Sequence, residues 1–358
     1  MINKNSNNYK CVFSSENSIY NNKYIQSSKF ISNNSFLIIN DKSIIKYTYN
    51  FNALNDSIES INLRNEFEEN NYIYDYDIIS DNSMETTYIC LCSKDNPIRI
   101  LDNELSLIKS FSLERKIKEK YFSSTFIKYE EFGMNIFTGK NFLSKIDLIT
   151  EKEKFIKFDK NYNYLSCFDY NHKYSCYFLG SYNHNLLICD YKTDKIIEIF
   201  KQENPINEIK LLNTRPYQML MGFRNSNYIC LFDIRKMNQY INKFERNALT
   251  TKKINFVLDK NENNIYTGDI EGNIIKYFFD KETNDKSYKR NQNNFSFEKE
   301  NMGINYRITS IDLEDKNNLL IAIYEKNNYL EDENENLEIL QNNKESNFNI
   351  YKLKNSSK

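Results

Sequence analysis

Met219-Leu-Met221, Gly222-Phe-Arg-Asn-Ser-Asn227, Tyr228-Ile-Cys-Leu-Phe232 and then Asp233 read as one sentence: an apolar run, a turn opened by glycine, a second apolar run and a closing acid. Two short apolar runs around Gly, Asn and Ser predict a β-hairpin. The same sentence stands upstream as Tyr177-Phe-Leu179, Gly180-Ser-Tyr-Asn-His-Asn185, Leu186-Leu-Ile-Cys189 and Asp190. Farther upstream, Met134–Phe137 turns through Thr138–Asn141 into Phe142–Ile146 before Asp147, and Thr87–Leu91 turns through Ser93–Pro97 into Ile98–Leu101 before Asp102. Downstream, Asn264–Thr267 turns through Gly268–Asn273 into Ile274–Tyr277. Phe36–Ile39 with Ser43–Tyr49 begins the series, and Leu319–Tyr324 with Phe348–Leu353 ends it.

The second runs close at Tyr47, Leu101, Ile146, Cys189, Phe232, Tyr277 and Tyr351, and the four middle intervals are 45, 43, 43 and 45 residues. A hairpin recurring every ~40–45 residues is the pattern of WD-type propeller blades. The outer intervals, 54 and 74, imply loop insertions. Asp102, Asp147, Asp190 and Asp233 stand where the Trp-Asp dipeptide keeps its Asp, the Trp having become Leu, Ile, Cys or Phe. Gly139, Gly180, Gly222 and Gly268 are four of only 7 glycines, each where a hairpin begins to turn, relieving a turn or a close blade contact of a Cβ. The expectation is all-β: one seven-bladed WD-repeat β-propeller over 20–355. Polar insertions are expected near 52–70, 279–300 and 325–347, and the 1–19 segment holds a candidate closing strand at Tyr9–Phe13.

Composition narrows the function. The 358 residues carry 48 Lys+Arg against 49 Asp+Glu, a formal charge of −1, which excludes gripping nucleic acid by bulk charge. Hydrophobic residues at 40% supply a core, so global disorder is not expected. The absence of Trp, the 57 Asn and the excess of Ile, Lys and Tyr match the codon usage of an AT-rich genome. The first residues lack the apolar core of a signal peptide, and runs such as Leu319–Tyr324 are too short to span a bilayer. A soluble intracellular chain is expected, with the 7 cysteines as reduced thiols: only Cys90 and Cys92 are close, and no pair has C-x-x-C spacing. Between 331 and 345, Glu331, Asp332, Glu333, Glu335, Glu338 and Glu345 face only Lys344, a net −5 that leaves +4 elsewhere. Solvated low-complexity filler is the plain reading of each insertion.

Catalytic constellations are missing. His172 and His184 have no nucleophile motif nearby, and there is no G-x-S-x-G. Gly133–Lys140 has five residues between its glycines where a phosphate loop has four, and Asn141 follows where Ser or Thr would hold magnesium. Asp75 and Asp77 alternate in a strand, which favours a structural polar role over acid–base work. No enzyme, cofactor or metal is expected.

The second blade carries a more specific likeness. Ile73-Tyr-Asp-Tyr-Asp-Ile-Ile79, followed by Thr87-Tyr-Ile-Cys-Leu-Cys-Ser-Lys-Asp-Asn-Pro-Ile-Arg-Ile-Leu-Asp102, resembles the telomerase Cajal body WD-repeat protein family. Asn96-Pro97-Ile98 keeps the family's pattern, and Leu101 replaces its Trp. Leu179–Tyr182, Gly222–Arg224 and Ile229–Arg235 resemble its fourth and fifth blades. Phe244–Arg246, Thr250–Asp259 and Thr267–Gly272 resemble its succession into the sixth. The likeness runs in register from about residue 20 to 355; the lost Trp residues and weak first and third blades depart from it.

This resemblance implies a non-enzymatic nuclear protein that binds small Cajal body RNAs or telomerase RNA and helps localise or mature their ribonucleoproteins. Its partners would be that RNA, the ribonucleoprotein's proteins and other proteins on the propeller faces of a monomer. Loop RNA is read by stacking bases on aromatic or guanidinium planes, with cations on phosphates. The candidates here are Lys94, Arg99, Tyr182, Phe223, Arg224, Arg246, Lys252 and Lys253. Each has a structural alternative. Arg99 and Arg246 could pair with a neighbouring blade's Asp, Tyr182 and Phe223 could cover their hairpins, and Lys252 and Lys253 could be solvated charges. A WD scaffold docking only proteins is the competing function, and an adaptor whose acidic 331–345 loop recruits a basic partner is a third.

Overall fold

The computed structural model describes residues 9–15, 25–32, 34–80, 87–112, 124–131, 133–158, 162, 164–279, 297–302, 306–325 and 346–353. Its strands form seven four-stranded antiparallel sheets, the blades of a seven-bladed β-propeller.

In chain order, β1 spans Tyr9–Ser14, and blade 1 follows as β2 (Ile25–Ser32), β3 (Ser35–Asn40), β4 (Ser43–Asn52) and β5 (Ser57–Glu68). Blade 2 is β6 (Ile73–Ser80), β7 (Thr87–Ser93), β8 (Ile98–Leu101) and β9 (Leu107–Phe111). Blade 3 is β10 (Phe126–Glu130), β11 (Asn135–Gly139), β12 (Phe142–Asp147) and β13 (Glu153–Lys157). Blade 4 is β14 (Leu165–Asn171), β15 (Cys176–Ser181), β16 (Asn185–Asp190) and β17 (Ile196–Lys201). A single 3-10 turn, His172–Tyr174, links its first two strands. Blade 5 is β18 (Ile206–Leu211), β19 (Gln218–Phe223), β20 (Tyr228–Asp233) and β21 (Tyr240–Glu245). Blade 6 is β22 (Phe256–Leu258), β23 (Asn264–Gly268), β24 (Asn273–Phe278) and β25 (Phe297–Asn301). Blade 7 is β26 (Arg307–Glu314), β27 (Leu319–Glu325) and β28 (Ser346–Leu353), and β1 supplies its fourth strand.

The seven closing residues fall in the third strand of every blade. Tyr47, Leu101, Ile146, Cys189, Phe232, Tyr277 and Tyr351 pair with Phe36, Ile89, Ile136, Tyr177, Met219, Ile265 and Leu320 of the second strands. All seven are buried. Second and third strands are buried on both faces, which is why they read as nearly continuous apolar runs. Fourth strands such as β17 and β25 are largely exposed and carry charges. The 52–70 stretch is therefore corrected: it is no insertion, because β5 occupies most of it as the fourth strand of blade 1. The expected insertion at 279–300 contains the start of β25, and its residues 280–296 lie outside the described set. The acidic 331–345 stretch, with most of 325–347, also lies outside it.

The chain divides into two compact units, residues 1–64 with 244–358, and residues 65–243. In the first unit, β1 joins β28 in antiparallel register from Tyr9↔Leu353 to Ser14↔Asn349. The Ser15 hydroxyl accepts the Phe348 amide at 2.9 Å, and the Phe13 and Phe348 rings stack at 5.7 Å. In the second unit, Phe178, Leu186, Met219 and Phe232 belong to the core between blades 4 and 5.

Two devices join consecutive blades. Carboxylates and amides on or just before the first strands accept backbone N–H groups from the next blade's first strand, which is the edge of its sheet and has a ladder partner on one side only. Asp75 takes the Ile127 amide at 3.0 Å, Asp77 that of Tyr129 at 2.9 Å and Asp169 that of Leu211 at 2.7 Å. Asp312 takes the Phe30 amide at 2.7 Å, and Asn255 accepts from Ile311 N at 2.8 Å while donating to its carbonyl at 3.0 Å. The second device is close packing against glycine. A Cβ on Gly180 would lie 2.7 Å from Ile206 Cγ2, and one on Gly268 2.4 Å from Ile308 Cβ. Both isoleucines belong to the following blade, so blade contact demands these glycines.

The phased aspartates order the turns between third and fourth strands. Asp102 Oδ1 accepts the amides of Glu104 and Ser106, Asp147 Oδ1 those of Ile149 and Thr150, Asp190 Oδ1 that of Thr193 and Asp233 Oδ1 that of Arg235, all within 3.0 Å. An Asp side chain mimics a backbone turn in this way. All 7 cysteines are free, and six of them are buried.

Candidate nucleic-acid interface

Lys94, Tyr182 and Arg224 occupy one position in three blades of the second unit. Each is the hairpin residue whose amide donates to the carbonyl of the residue just before the first strand: Lys94 to Tyr72 at 2.8 Å, Tyr182 to Tyr164 at 2.9 Å and Arg224 to Pro205 at 2.9 Å. Asp95 and Asn225, immediately after two of them, turn the chain in the left-handed region at φ 56° and 50°. Asp and Asn tolerate that conformation, which explains these turns in a chain poor in glycine. The backbone thus presents the three side chains at the same end of their sheets.

Blades 4 and 5 bring two of them together. The Arg224 guanidinium carbon lies 4.1 Å from the centre of the Tyr182 ring, and Nη2 donates to the Tyr182 hydroxyl at 3.0 Å. Arg224 Nε reaches Oδ1 of buried Asn207 at 3.5 Å. In the Tyr182 hairpin, Ser181 Oγ accepts the amides of Asn183 and Asn185 at 3.1 and 3.3 Å, and His184 Nδ1 lies 2.8 Å from the Glu203 carbonyl. A planar cation is therefore held over a partly exposed aromatic by groups from two blades. Such a platform can stack a flat ligand and attract an anion.

The other candidates are placed differently. Lys94 is exposed. Arg99 is engaged by Glu69, Nε to Oε1 at 3.1 Å, and by Ser110 at 3.0 Å, while Asn96 holds the second oxygen of Glu69 at 2.8 Å. Its partner is the buried carboxylate leading into its own blade, not an Asp of a neighbouring blade. Phe223 is 7% exposed and packs in the core between blades 4 and 5. As a stacking surface Phe223 is corrected: β19 is buried from Met219 onward, and the ring lies in that core.

In the first unit, Arg246 is 2% exposed. Its Nη1 donates to the carbonyls of Ile254 and Asn255 at 3.0 and 3.4 Å and to Thr267 Oγ1 at 2.7 Å. It ties the connection before β22 to β23, so its role as an RNA contact is likewise corrected to a structural one. Lys252 is paired with buried Glu325, which Arg307 also binds through two contacts of 2.8 Å. Lys253 is exposed.

At the opposite end of blades 4 and 5 lies a cluster absent from the sequence-based candidates: Tyr174, Tyr217, Arg235 and Lys173. The only sequence signal was Arg235 two places after a phased Asp, and Asp233 raises its affinity for the proton by bonding the guanidinium directly. Among the described residues no group of three or more His, Cys, Asp or Glu could hold a metal ion, and no helix is long and apolar enough to cross a membrane.

No protein-family model matches the chain, and no curated protein matches it significantly. The motifs and the geometry are what bear on its function.

Proposed function

We propose that this propeller is a non-enzymatic RNA-binding protein of the telomerase Cajal body type. It would take an unpaired stretch of a small nuclear RNA on the hairpin end of blades 4 and 5 and help its ribonucleoprotein localise in the nucleus or mature. The observation that carries this reading is the Arg224 guanidinium laid over Tyr182 at 4.1 Å, anchored from two blades. Unpaired bases stack on such planes, and the cation meets a phosphate or a base edge. Lys94 at the equivalent hairpin position adds charge; Phe223 and Arg246 take no part. A local platform also fits a formal charge of −1, since it needs no bulk basic excess.

The test is crosslinking of the protein to RNA in its native cells, followed by sequencing. Enrichment of one class of hairpin RNA, abolished by Arg224→Ala, supports the reading; recovery at background level defeats it. The competing scaffold reading draws on exposed Ile197, Ile199, Tyr240 and Ile241 on the fourth strands of the same blades, a surface for protein partners. It predicts background RNA recovery with stable protein partners lost on Ile197→Asp.

A further inference from the structure

The opposite end of blades 4 and 5 carries a second stack. Tyr174 and Tyr217 lie with ring centres 5.2 Å apart, tilted by 39°. The Arg235 guanidinium covers Tyr217 at 4.1 Å, and Lys173 approaches the same ring at 5.7 Å. The three turns beneath are tied together: Asn171 Nδ2 donates to the Pro216 carbonyl at 3.1 Å, and the Ile234 amide to the Tyr217 carbonyl at 2.9 Å. Tyr217 is 37% exposed and the Arg235 side chain 60%.

Arg235 is fixed in its plane. Its Nε donates to Asp233 Oδ1 at 2.9 Å and its Nη2 to Asp233 Oδ2 at 2.6 Å. That bidentate pairing occupies one edge of the guanidinium, and the side chain stays 60% exposed beside the Tyr217 ring. A carboxylate of a partner protein seeks the edge, whereas a nucleobase seeks the face. Charge agrees: the turns 171–175, 211–217 and 233–240 hold Lys173, Arg215, Arg235 and Lys236 against one carboxylate, Asp233. Aromatic faces amid cations suit unpaired nucleotides, whose bases stack while their phosphates meet the cations.

We propose that Tyr174, Tyr217 and Arg235 form a second binding surface for single-stranded RNA, at the end of blades 4 and 5 opposite Arg224. The surface rests on the RNA-binding reading for its class of ligand. An RNA engaged at both ends of these blades would be held at two separated points along its length.

The experiment uses the full chain and a fluorescein-labelled twelve-nucleotide uridylate RNA containing 5-bromouridine. Arg235→Lys keeps the charge and removes the plane; it should weaken binding about five- to tenfold, with an unchanged melting temperature. Tyr217→Ala should act similarly, and ultraviolet light should place adducts on peptides containing Tyr174 or Tyr217. If only Arg224→Lys weakens binding and adducts fall only near Tyr182, the second surface is refuted while the RNA reading stands. If the wild-type chain binds no RNA, both fail. If polyglutamate displaces the RNA from Tyr217 at lower concentration than poly-uridylate does, the surface belongs to an acidic protein partner and the inference is overturned.

Discussion

Asp77 Oδ2 accepts the backbone amide of Tyr129 at 2.9 Å, from one blade to the next, while Lys128 Nζ lies 3.3 Å from the same oxygen. The nearby Asp77 charge holds the half-exposed Lys128 ammonium above its ordinary range. Because that carboxylate stands in for a missing strand neighbour, Asp77→Ala strands a buried N–H. The expected cost is about 1–3 kcal/mol, with the same for Asp312→Ala at the Phe30 amide. Urea unfolding measures both, and a change below about 0.5 kcal/mol at either position would show that the bridge adds nothing.

Arg224 and Arg246 should separate function from stability. Arg246→Met removes three donor contacts from an enclosed site and is expected to cost about 2–4 kcal/mol. Arg224→Ala, at a partly exposed hairpin, should change stability by under about 1 kcal/mol while abolishing RNA recovery. Thermal unfolding beside an RNA-binding assay checks the pair; the reverse pattern would exchange their roles.

Gly180→Ala and Gly268→Ala each force a methyl against an isoleucine of the following blade. Overpacking of this kind costs about 1–3 kcal/mol. Neither glycine has a positive φ, so an isoleucine made smaller should rescue the loss. Gly180→Ala with Ile206→Ala, which removes the Cγ2 that the new methyl meets, is therefore expected to cost less than the two single losses added, measured as the urea midpoint of the double variant against each single one.

The turn aspartates set an acid limit. Hydrogen bonds from Thr150 hold Asp147, and those from Thr193 hold Asp190, below the ordinary carboxylate range; the Arg235 bond does so for Asp233. A group depressed in the folded state lends stability that is complete above the unfolded value, near ~4, and is lost as pH falls through the folded value. The urea midpoint should fall between about pH 5 and pH 2, and Asp147→Asn with Asp190→Asn should flatten that fall. An unaltered slope in the double variant would assign the acid sensitivity elsewhere.

How far the chain could be read from its letters follows from burial. Second and third strands, enclosed on both faces, wrote themselves as apolar runs, and the closing aspartates survived the loss of Trp because the turn needs their oxygen, not the aromatic. Fourth strands face water, so Ser57–Glu68 looks like filler and Phe297–Asn301 has no apolar signature. At the interface, sequence chose Arg224 and Tyr182 but could not foresee that they touch. It also could not tell that Arg246 is enclosed, since an arginine satisfied by carbonyls leaves no pattern. Arg235 escaped notice because its neighbour Asp233 already had an explanation.

The pairing of β1 with β28 has a temporal meaning. Residues 65–243 form a continuous stretch and can pack together while synthesis proceeds, since compact units fold as they emerge. Blade 7 cannot: Tyr9 must wait for Leu353, so β1 stays without its partner until β28 has been translated. A prematurely terminated product would carry finished blades beside an unsatisfied strand edge, a ready signal for the cell's quality-control machinery.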